Sequence, residues 1–170
     1  SVKDFINAKF KEEIIFTKNA TEAINLIATT FGQQNIREGD EIIVSELEHH
    51  SNYVPWHFLR YNKKAIIKFA PINDDGDIII DKLKELISSK TKIIAVTHLS
   101  NVTGTIVPIK EIVELAHKKN IPVLVDGCQS APHIKVDVTD LDCDFYAFSG
   151  HKVYGPTGVG ILYAKKKWLE

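Results

Sequence analysis

The sequence predicts an α/β fold, a mainly parallel β-sheet with helices on both faces in three layers. Short apolar runs alternate with amphipathic, helix-like segments along most of the 170 residues, and this alternation is typical of strand–helix–strand units around a parallel sheet. Some runs, such as residues 123–125, are apolar at every position, as expected of strands buried on both faces. The length corresponds to one domain.

Local signals place the elements along the chain. Predicted strands cover a short segment from Ile14 and residues 41–45, 65–70, 92–96, 123–125, 145–148 and 159–164. Predicted helices cover residues 20–31, 53–61, 81–88 and 108–120, and residues 2–8 resemble the last turns of another. Gly32 is expected to close the helix at 20–31, because glycine commonly ends helices. Pro55 and Pro108 are expected in first turns, where proline is tolerated.

A candidate catalytic lysine follows the strand at 145–148. Ser149, Gly150, His151 and Lys152 stand at its carboxyl end, and open α/β sheets place their chemistry at such strand ends. The Gly/Pro-rich turn that follows is expected to keep the Lys152 side chain out of bulk solvent. A lysine so placed can form a Schiff base with a carbonyl compound, although an ordinary surface lysine gives the same local pattern.

A candidate partner, Asp126, ends the strand that begins at residue 123. A buried carboxylate needs a partner, because an unpaired buried charge is costly. Together with Lys152 it would suit pyridoxal 5′-phosphate (PLP), which needs an amine for its aldehyde and a carboxylate to keep its ring nitrogen protonated. Opposite charges about 4 Å apart gain roughly 4 kcal/mol at an effective dielectric of 20. Alone, Asp126 would be interpreted as a cap or loop acid.

Two further features fit a phosphorylated, aromatic ligand. Thr21 stands at the start of the helix at 20–31, where its hydroxyl and the free backbone N–H groups can bind phosphate. The alternative for Thr21 is an ordinary N-cap. Residues 48–52 read Glu-His-His-Ser-Asn after a strand, and a histidine there can cover a ring or move protons. Solvated loop histidines are the alternative.

In order, the motifs TKNATEAIN, EHHSN, THLSNVTG, VDGCQ and FSGHKVYGPTGVG resemble those of the class V aminotransferases, a family of PLP enzymes. Within this family the chain is most similar to the SufS-type cysteine desulfurases. The resemblance covers essentially the whole chain, and SGHKxYGPxGxG and EHHSNxVPW are its most specific parts. It implies the PLP-dependent transferase fold and PLP as the cofactor.

The resemblance also implies individual roles. Lys152, His49 and Asp126 would be the catalytic residues: Lys152 would bind the cofactor aldehyde and remove the substrate α-proton, Asp126 would pair with the ring nitrogen, and His49 would stack on the ring. His49 or Lys152 would return a proton. Gln129 would bind the ring's phenolic oxygen, and Asn101 would lie beside ring and substrate. The phosphate would be held by Ala20, Thr21, Ser149 and His151.

The implied activity is conversion of L-cysteine to L-alanine, with sulfur leaving as a protein-bound persulfide for iron–sulfur cluster assembly. The implied partners are L-cysteine, a sulfur-acceptor protein and, in the complete protein, a second subunit in a homodimer. The alternatives are another class V PLP enzyme, such as an aminotransferase or a selenocysteine or cysteine lyase, and a non-catalytic truncated remnant. EHHSNxVPW favours the desulfurase.

The family continues beyond the segment to which this sequence corresponds. We therefore expect residues 1–170 to be part of the large PLP-binding domain, without the small C-terminal domain. The family's mobile catalytic cysteine and its substrate-binding arginine would lie in that missing part, so this chain alone is expected to bind PLP weakly and not to turn over cysteine. Cys128 and Cys143 are expected to be buried structural thiols.

Other classes of function are disfavoured. The net charge of −1 gives no case for binding nucleic acid or an anionic membrane. Without a secretory signal or a long apolar run, the cytoplasm or an organellar matrix is the expected location. The glycines at 155–160 precede a strand, unlike a nucleotide-binding loop, Ser149 lacks the hydrolase elbow motif, and no spacing of histidines and cysteines supports a zinc site.

Overall fold

The computed structural model describes residues 1–169 and has a single β-sheet of seven strands. The strands are β1 Ile14–Thr17, β2 Glu41–Ser45, β3 Ile66–Ala70, β4 Thr91–Thr97, β5 Val123–Asp126, β6 Phe145–Ser149 and β7 Gly160–Ala164. Their order across the sheet is β1-β7-β6-β5-β4-β2-β3. The pairs from β6 to β3 are parallel, whereas β7 is antiparallel to both β6 and β1. The predicted mainly parallel sheet is confirmed.

The helices are short and connect the strands. They are α1 Val2–Phe5, α2 Ala20–Ile27, α3 Gln33–Asn35, α4 Val54–Lys63, α5 Ile80–Leu86, α6 Ile109–His117, α7 Ser130–His133 and α8 Val138–Leu141. A π-helical turn, Ala28–Gly32, joins α2 to α3, and 3-10 turns occur at Lys11–Glu13, His50–Asn52, Gly150–Val153 and Lys166–Trp168. No helix within residues 1–169 combines the length and apolar character needed to cross a bilayer.

Helices cover both faces of the sheet, so the core has two halves. Neighbouring residues of a strand point to opposite faces, and Ile43 accordingly packs in one half while Ile42 packs in the other. The first half is completed by α5 and α6, the second by α2 and α4. This three-layer arrangement leaves the carboxyl ends of the parallel strands together at one edge, where the polar strand-end residues lie.

Gly32 does not end its helix, contrary to the expectation from sequence. Its φ of −61° is right-handed helical, and the helix continues through the π-helical turn to Asn35. A Cβ added at Gly32 would lie 2.6 Å from Cδ1 of Leu59 in α4. Glycine is therefore present because two helices approach closely here, and the chain becomes extended only at Ile36.

Candidate functional site

A cleft of about 270 Å³ lies at the carboxyl ends of β4, β5 and β6, beside the start of α2. It brings together every predicted cofactor-binding residue, namely Ala20, Thr21, His49, Asn101, Asp126, Gln129, Ser149, His151 and Lys152. The remaining lining residues are Asn19, Ser51, Thr97, Leu99 and Cys128. Residues from five separate segments of the sequence therefore meet at one site, as the position of the strand ends predicts.

Asp126 is the last residue of β5 and is only 3% exposed. The Cys128 N–H donates to its Oδ1 at 3.0 Å, and the Ser51 hydroxyl lies 3.5 Å from its Oδ2. None of the ion pairs formed among residues 1–169 includes this carboxylate. Burial raises the pKa of Asp126, although these hydrogen bonds oppose that effect. A cation entering the cleft would compensate this buried charge, so the site suits a protonated ring nitrogen.

His49 is the N-cap of the 3-10 turn His50–Asn52, and its ring is held by that turn. The Ser51 N–H donates to His49 Nδ1 at 3.2 Å, and the Ser51 hydroxyl lies 2.9 Å from the same nitrogen. Because a backbone N–H can only donate, Nδ1 must accept, and the proton of the neutral ring resides on Nε2. Ser51 thereby stands between the imidazole and Asp126.

The start of α2 supplies the groups suited to an anion. Asn19, and not Thr21, is the N-cap, since its Oδ1 accepts the Glu22 N–H at 2.8 Å. The N-cap alternative for Thr21 is therefore wrong, and its exposed hydroxyl at the cleft is available to a ligand. The Ala20 N–H donates to Ser149 Oγ at 2.9 Å. Backbone N–H groups at a helix start and a neighbouring hydroxyl match the needs of a phosphate.

The tight approach of this loop to β7 depends on Gly160. A Cβ at that position would lie 2.4 Å from the Asn19 Cα and carbonyl carbon. Any larger residue would displace the loop that carries the N-cap and the first N–H groups of α2. The glycine that the sequence places at the start of the last strand thus shapes the anion-binding end of the cleft.

Lys152 lies in the 3-10 turn Gly150–Val153, directly after β6. It lines the cleft, but its side chain is exposed, so the expectation that the following turn shields it from solvent is wrong. The reason is geometric: the turn carries Lys152 past the strand end to the open side of the cleft, and the residues after it up to Gly158 are also largely exposed. The amine is accessible to a ligand.

Sequence reasoning gave Glu48, Ser51, Thr97 and Cys128 no part in the site, although they lie in or beside the cleft. It expected Cys128 to be a buried structural thiol, whereas this residue is only partly buried and lines the cleft. All four residues belong to recognised motifs, EHHSN, THLSNVTG and VDGCQ, but the motifs alone do not show what each residue does. Cys128 is half-buried and lies 4.0 Å, Sγ to Oγ, from Ser149. Burial, together with the charge of Asp126, raises the pKa of Cys128 to about 12, so its thiol stays protonated at neutral pH. Cys143 is fully buried, as expected.

Comparisons with known proteins identify the family of the chain. The family model for aminotransferase class-V matches residues 1–170. A probable cysteine desulfurase of Halalkalibacterium halodurans is 53% identical over 169 residues, which are 99% of this chain and 42% of that protein. The crystal structure of the Escherichia coli cysteine desulfurase CsdA superposes with a TM-score of 0.97 at 43% identity, over 99% of this chain and 42% of that one. The apo structure of the cysteine desulfurase of Thermococcus onnurineus superposes with a TM-score of 0.92 at 40% sequence identity. The match covers 98% of this chain and 41% of that one.

The chain belongs to the class V aminotransferase family. The three relatives named above, one compared by sequence and two by structure, are described as probable or established cysteine desulfurases. The chain spans about 42% of the length of the first of these relatives.

Proposed function

We propose that this chain forms the cofactor-binding part of a PLP-dependent cysteine desulfurase. The observation that carries the proposal is one cleft in which the buried Asp126, without an ionic partner among residues 1–169, lies together with the exposed amine of Lys152. An isolated buried carboxylate is unfavourable for the ligand-free protein. The presence of this carboxylate in the same cleft as an accessible amine is explained by a ligand that is both cationic and reactive toward amines.

The lining residues fit PLP group by group. The Ala20 N–H, the Thr21 hydroxyl and Ser149 would hold the phosphate, with His151 beside them. Asp126 would hold the protonated ring nitrogen, His49 would cover the ring, and Gln129 would bind the phenolic oxygen. Asn101 would lie beside the substrate. This assignment rests on the common cleft and on the donors and acceptors described above.

When bound, PLP supplies an aldehyde that condenses with amines and a ring that withdraws electrons from the bonds at the substrate Cα. The residues of this chain would handle charge and protons around it. The Lys152 amine would take the α-proton of cysteine. Asp126 would hold the positive charge on the ring nitrogen, and His49 Nε2–H, opposite the nitrogen fixed by Ser51, would be the proton available for return to the product.

The transfer of sulfur needs a thiolate, which accepts the sulfur atom as the carbon–sulfur bond of cysteine breaks. Cys128 is protonated and held beside Asp126, and Cys143 lies in the core. Neither cysteine suits this step. We propose that residues 1–169 account for cofactor binding and proton transfer, as part of a large PLP-binding domain, and that the isolated chain releases neither alanine nor sulfide from cysteine.

The resemblance supports finer proposals, each open to separate test. We propose a SufS-type enzyme that acts in iron–sulfur cluster assembly, passes its sulfur to an acceptor protein and works as a homodimer. We further propose the cytoplasm, or an organellar matrix, as its location. EHHSNxVPW is the sequence feature that supports the SufS-type assignment.

The lysine assignment is tested by chemical trapping. The chain is incubated with PLP, treated with borohydride and digested, and the labelled peptide is identified by mass spectrometry. We expect the label on Lys152 and its loss in Lys152→Ala, whereas Lys90→Ala, a change at an exposed lysine outside the cleft, leaves the labelling unchanged. A label on Lys63 or Lys165 in place of Lys152 contradicts the proposal.

A further inference from the structure

Glu48 immediately precedes His49 but does not itself line the cleft. The residue as a whole is partly exposed, whereas its carboxyl group is enclosed by protein. Three groups lie within hydrogen-bond distance of that carboxyl: the Ser45 hydroxyl at 2.5 Å, the Asn52 amide nitrogen at 2.6 Å and the Thr97 backbone N–H at 2.8 Å. The proposed reaction uses none of these four groups directly.

The three partners belong to three different elements. Ser45 ends β2, Asn52 ends the 3-10 turn next to His49, and Thr97 ends β4. The turn and the end of β4 line the cleft, and β2 is paired with β4. The Glu48 carboxyl therefore joins the turn that carries His49 to two strand ends of the sheet.

The direction of two of these hydrogen bonds is fixed. The Trp56 Nε1–H can only donate, and it donates to Asn52 Oδ1 at 3.3 Å, so Asn52 presents its NH₂ group to Glu48 Oε2. The Thr97 N–H can only donate to Oε1. Position 48 thus needs an acceptor at both side-chain oxygens. A carboxyl group satisfies this need, whereas a glutamine would turn its NH₂ toward a donor.

The contact with Thr97 extends to Asp126. Thr97 and Asp126 are opposite each other in the β4–β5 ladder, and the next residue of the β4 segment, His98, donates its N–H to the Asp126 carbonyl at 2.9 Å. On the other side, the turn held by Asn52 carries Ser51, whose hydroxyl faces Asp126 Oδ2. Both sides of the ring site are thereby tied to the same carboxyl group.

We propose that Glu48 is a positioning residue that holds the His49 turn and the Asp126 strand end at the separation needed by the PLP ring. The inference rests on the cofactor site proposed above. Glu48 acts through these neighbours and touches no ligand.

The ionisation of Glu48 provides a signature of this role. Burial raises the pKa of Glu48 to about 8, opposed by its hydrogen bonds and reinforced by the charge of Asp126. The groups in contact with the carboxyl from β2, the 3-10 turn and β4 are uncharged, so Asp126 is the ionised group that acts on it. A change in the charge of Glu48 near pH 8 is therefore felt at the carboxylate that would hold the ring nitrogen.

The test compares Glu48→Gln with Glu46→Gln, the same chemical change at an exposed residue whose side chain accepts a hydrogen bond from the Ile72 N–H. PLP is titrated into the whole chain and followed by absorbance. We expect Glu48→Gln to bind at least about tenfold more weakly, since one of the two fixed donors, Asn52 NH₂ or the Thr97 N–H, then faces an amide NH₂ and loses its acceptor, and the control to bind as the unmodified chain does. Without cofactor, the Thr97 amide should exchange with solvent faster in Glu48→Gln only.

The absorbance of the loaded chain is then followed across pH. The unmodified chain should show a transition that Glu48→Gln lacks, at or below about pH 8, because a cationic ring would offset the Asp126 charge that helps to raise the Glu48 pKa. A merely structural role would weaken binding and leave the transition in place. An unmodified chain that binds no PLP contradicts the cofactor site. If both chains bind PLP with equal affinity and show the same transition, the role of Glu48 is contradicted but the cofactor site is not.

A second variant covers the case in which Glu48→Gln fails to fold. Ser45→Ala removes one partner and leaves the carboxyl group and its two fixed donors in place. We expect it to weaken PLP binding about threefold, as for the loss of one hydrogen bond. Binding as tight as that of the unmodified chain would overturn the proposal.

Discussion

The Ser149 hydroxyl accepts a hydrogen bond from the Ala20 backbone N–H at 2.9 Å, across 129 residues of sequence. The bond links the end of β6 to the start of α2 at the end of the cleft proposed to bind phosphate. Both groups are buried, so the contact contributes to stability in the ligand-free chain and would be part of the binding site in the loaded one.

Ser149→Ala should therefore have two separable effects. The Ala20 N–H loses its partner, which costs about 1 kcal/mol of the free energy of unfolding. PLP should also bind more weakly, whereas pyridoxal, which lacks the phosphate, should bind equally to both chains. Urea denaturation and paired titrations with the two compounds measure these effects. Thr157→Ala, at an exposed hydroxyl outside the cleft, serves as control, and equal weakening for both compounds would exclude a phosphate-specific role.

Asp126→Asn should stabilise the ligand-free chain. Burial raises the pKa of Asp126, so the ionised folded state is penalised, and stability falls as pH rises from the ordinary carboxyl range through the raised value. The neutral amide of asparagine removes this penalty. The free energy of unfolding gained is about 1.4 kcal/mol for every tenfold change in acid dissociation constant that burial imposes on the carboxyl. Denaturant unfolding at pH 7 measures the gain, and a less stable variant would contradict it.

The same variant should impair chemistry while it improves stability. An asparagine cannot keep the ring nitrogen charged, so exchange of the α-proton of a bound amino acid in D₂O should fall at least tenfold, about 1.4 kcal/mol of barrier. NMR follows this exchange directly. Unchanged exchange would mean that Asp126 is structural only.

Glu48 predicts a pH dependence of stability. Its pKa is raised to about 8, so between the ordinary carboxyl value and pH 8 the folded state binds more protons than the unfolded state, and stability decreases as pH rises through that window. Glu48→Gln lacks the titrating group. As the pH rises from 5 to 8, the unfolding free energy of the unmodified chain should therefore fall relative to that of the variant. A difference between the two that stays constant over this range would contradict the assignment.

Asp144 stabilises the opposite end of the sheet. Its fully buried carboxylate accepts hydrogen bonds from His117 Nε2 at 2.7 Å and Trp168 Nε1 at 2.8 Å and pairs with Lys167 Nζ at 2.9 Å. Burial alone would raise the pKa of Asp144, but these contacts outweigh it and lower the pKa. Its contribution is thus present above the ordinary carboxyl pKa and lost as pH falls through the lowered value.

Asp144→Asn should cost about 3 kcal/mol at pH 7, because it leaves buried donors facing a neutral amide. Asp142→Asn is the matched control: its side chain is 61% exposed and also pairs with His117, so its loss should cost less than about 1 kcal/mol. Denaturant unfolding separates the two. Equal effects would show that burial of the pair is unimportant.

The sequence was most informative where apolar patterning governs structure. The strand at Glu41–Ser45 agrees residue for residue with the prediction, because its central residues are consecutive apolar β-branched residues, a pattern typical of strands buried on both faces. Gly32 was misassigned because its signal, glycine after an amphipathic run, is the same for a helix end and for a close helix contact. Only the position of Leu59 in a distant helix distinguishes them.

The site was predicted through motifs, and its fine structure was not. All of the residues proposed for cofactor binding line one cleft, because strand ends gather at one edge of the sheet. The part played by Asn19 as N-cap depends on backbone dihedral angles. The enclosure of the Glu48 carboxyl depends on groups from three elements. Neither property can be read from residue type and spacing.

The antiparallel return of β7 has a mechanical consequence. Gly160 is paired with Thr17 of β1 on one side and with Ser149 of β6 on the other. The loop before α2 and the loop that carries Lys152 therefore both begin next to this one residue. The start of α2 and the loop that carries Lys152 are thus connected through a single residue of β7. A larger residue at position 160, whose Cβ would lie 2.4 Å from the Asn19 Cα, is therefore expected to disturb the lysine end of the cleft as well as its anion-binding end.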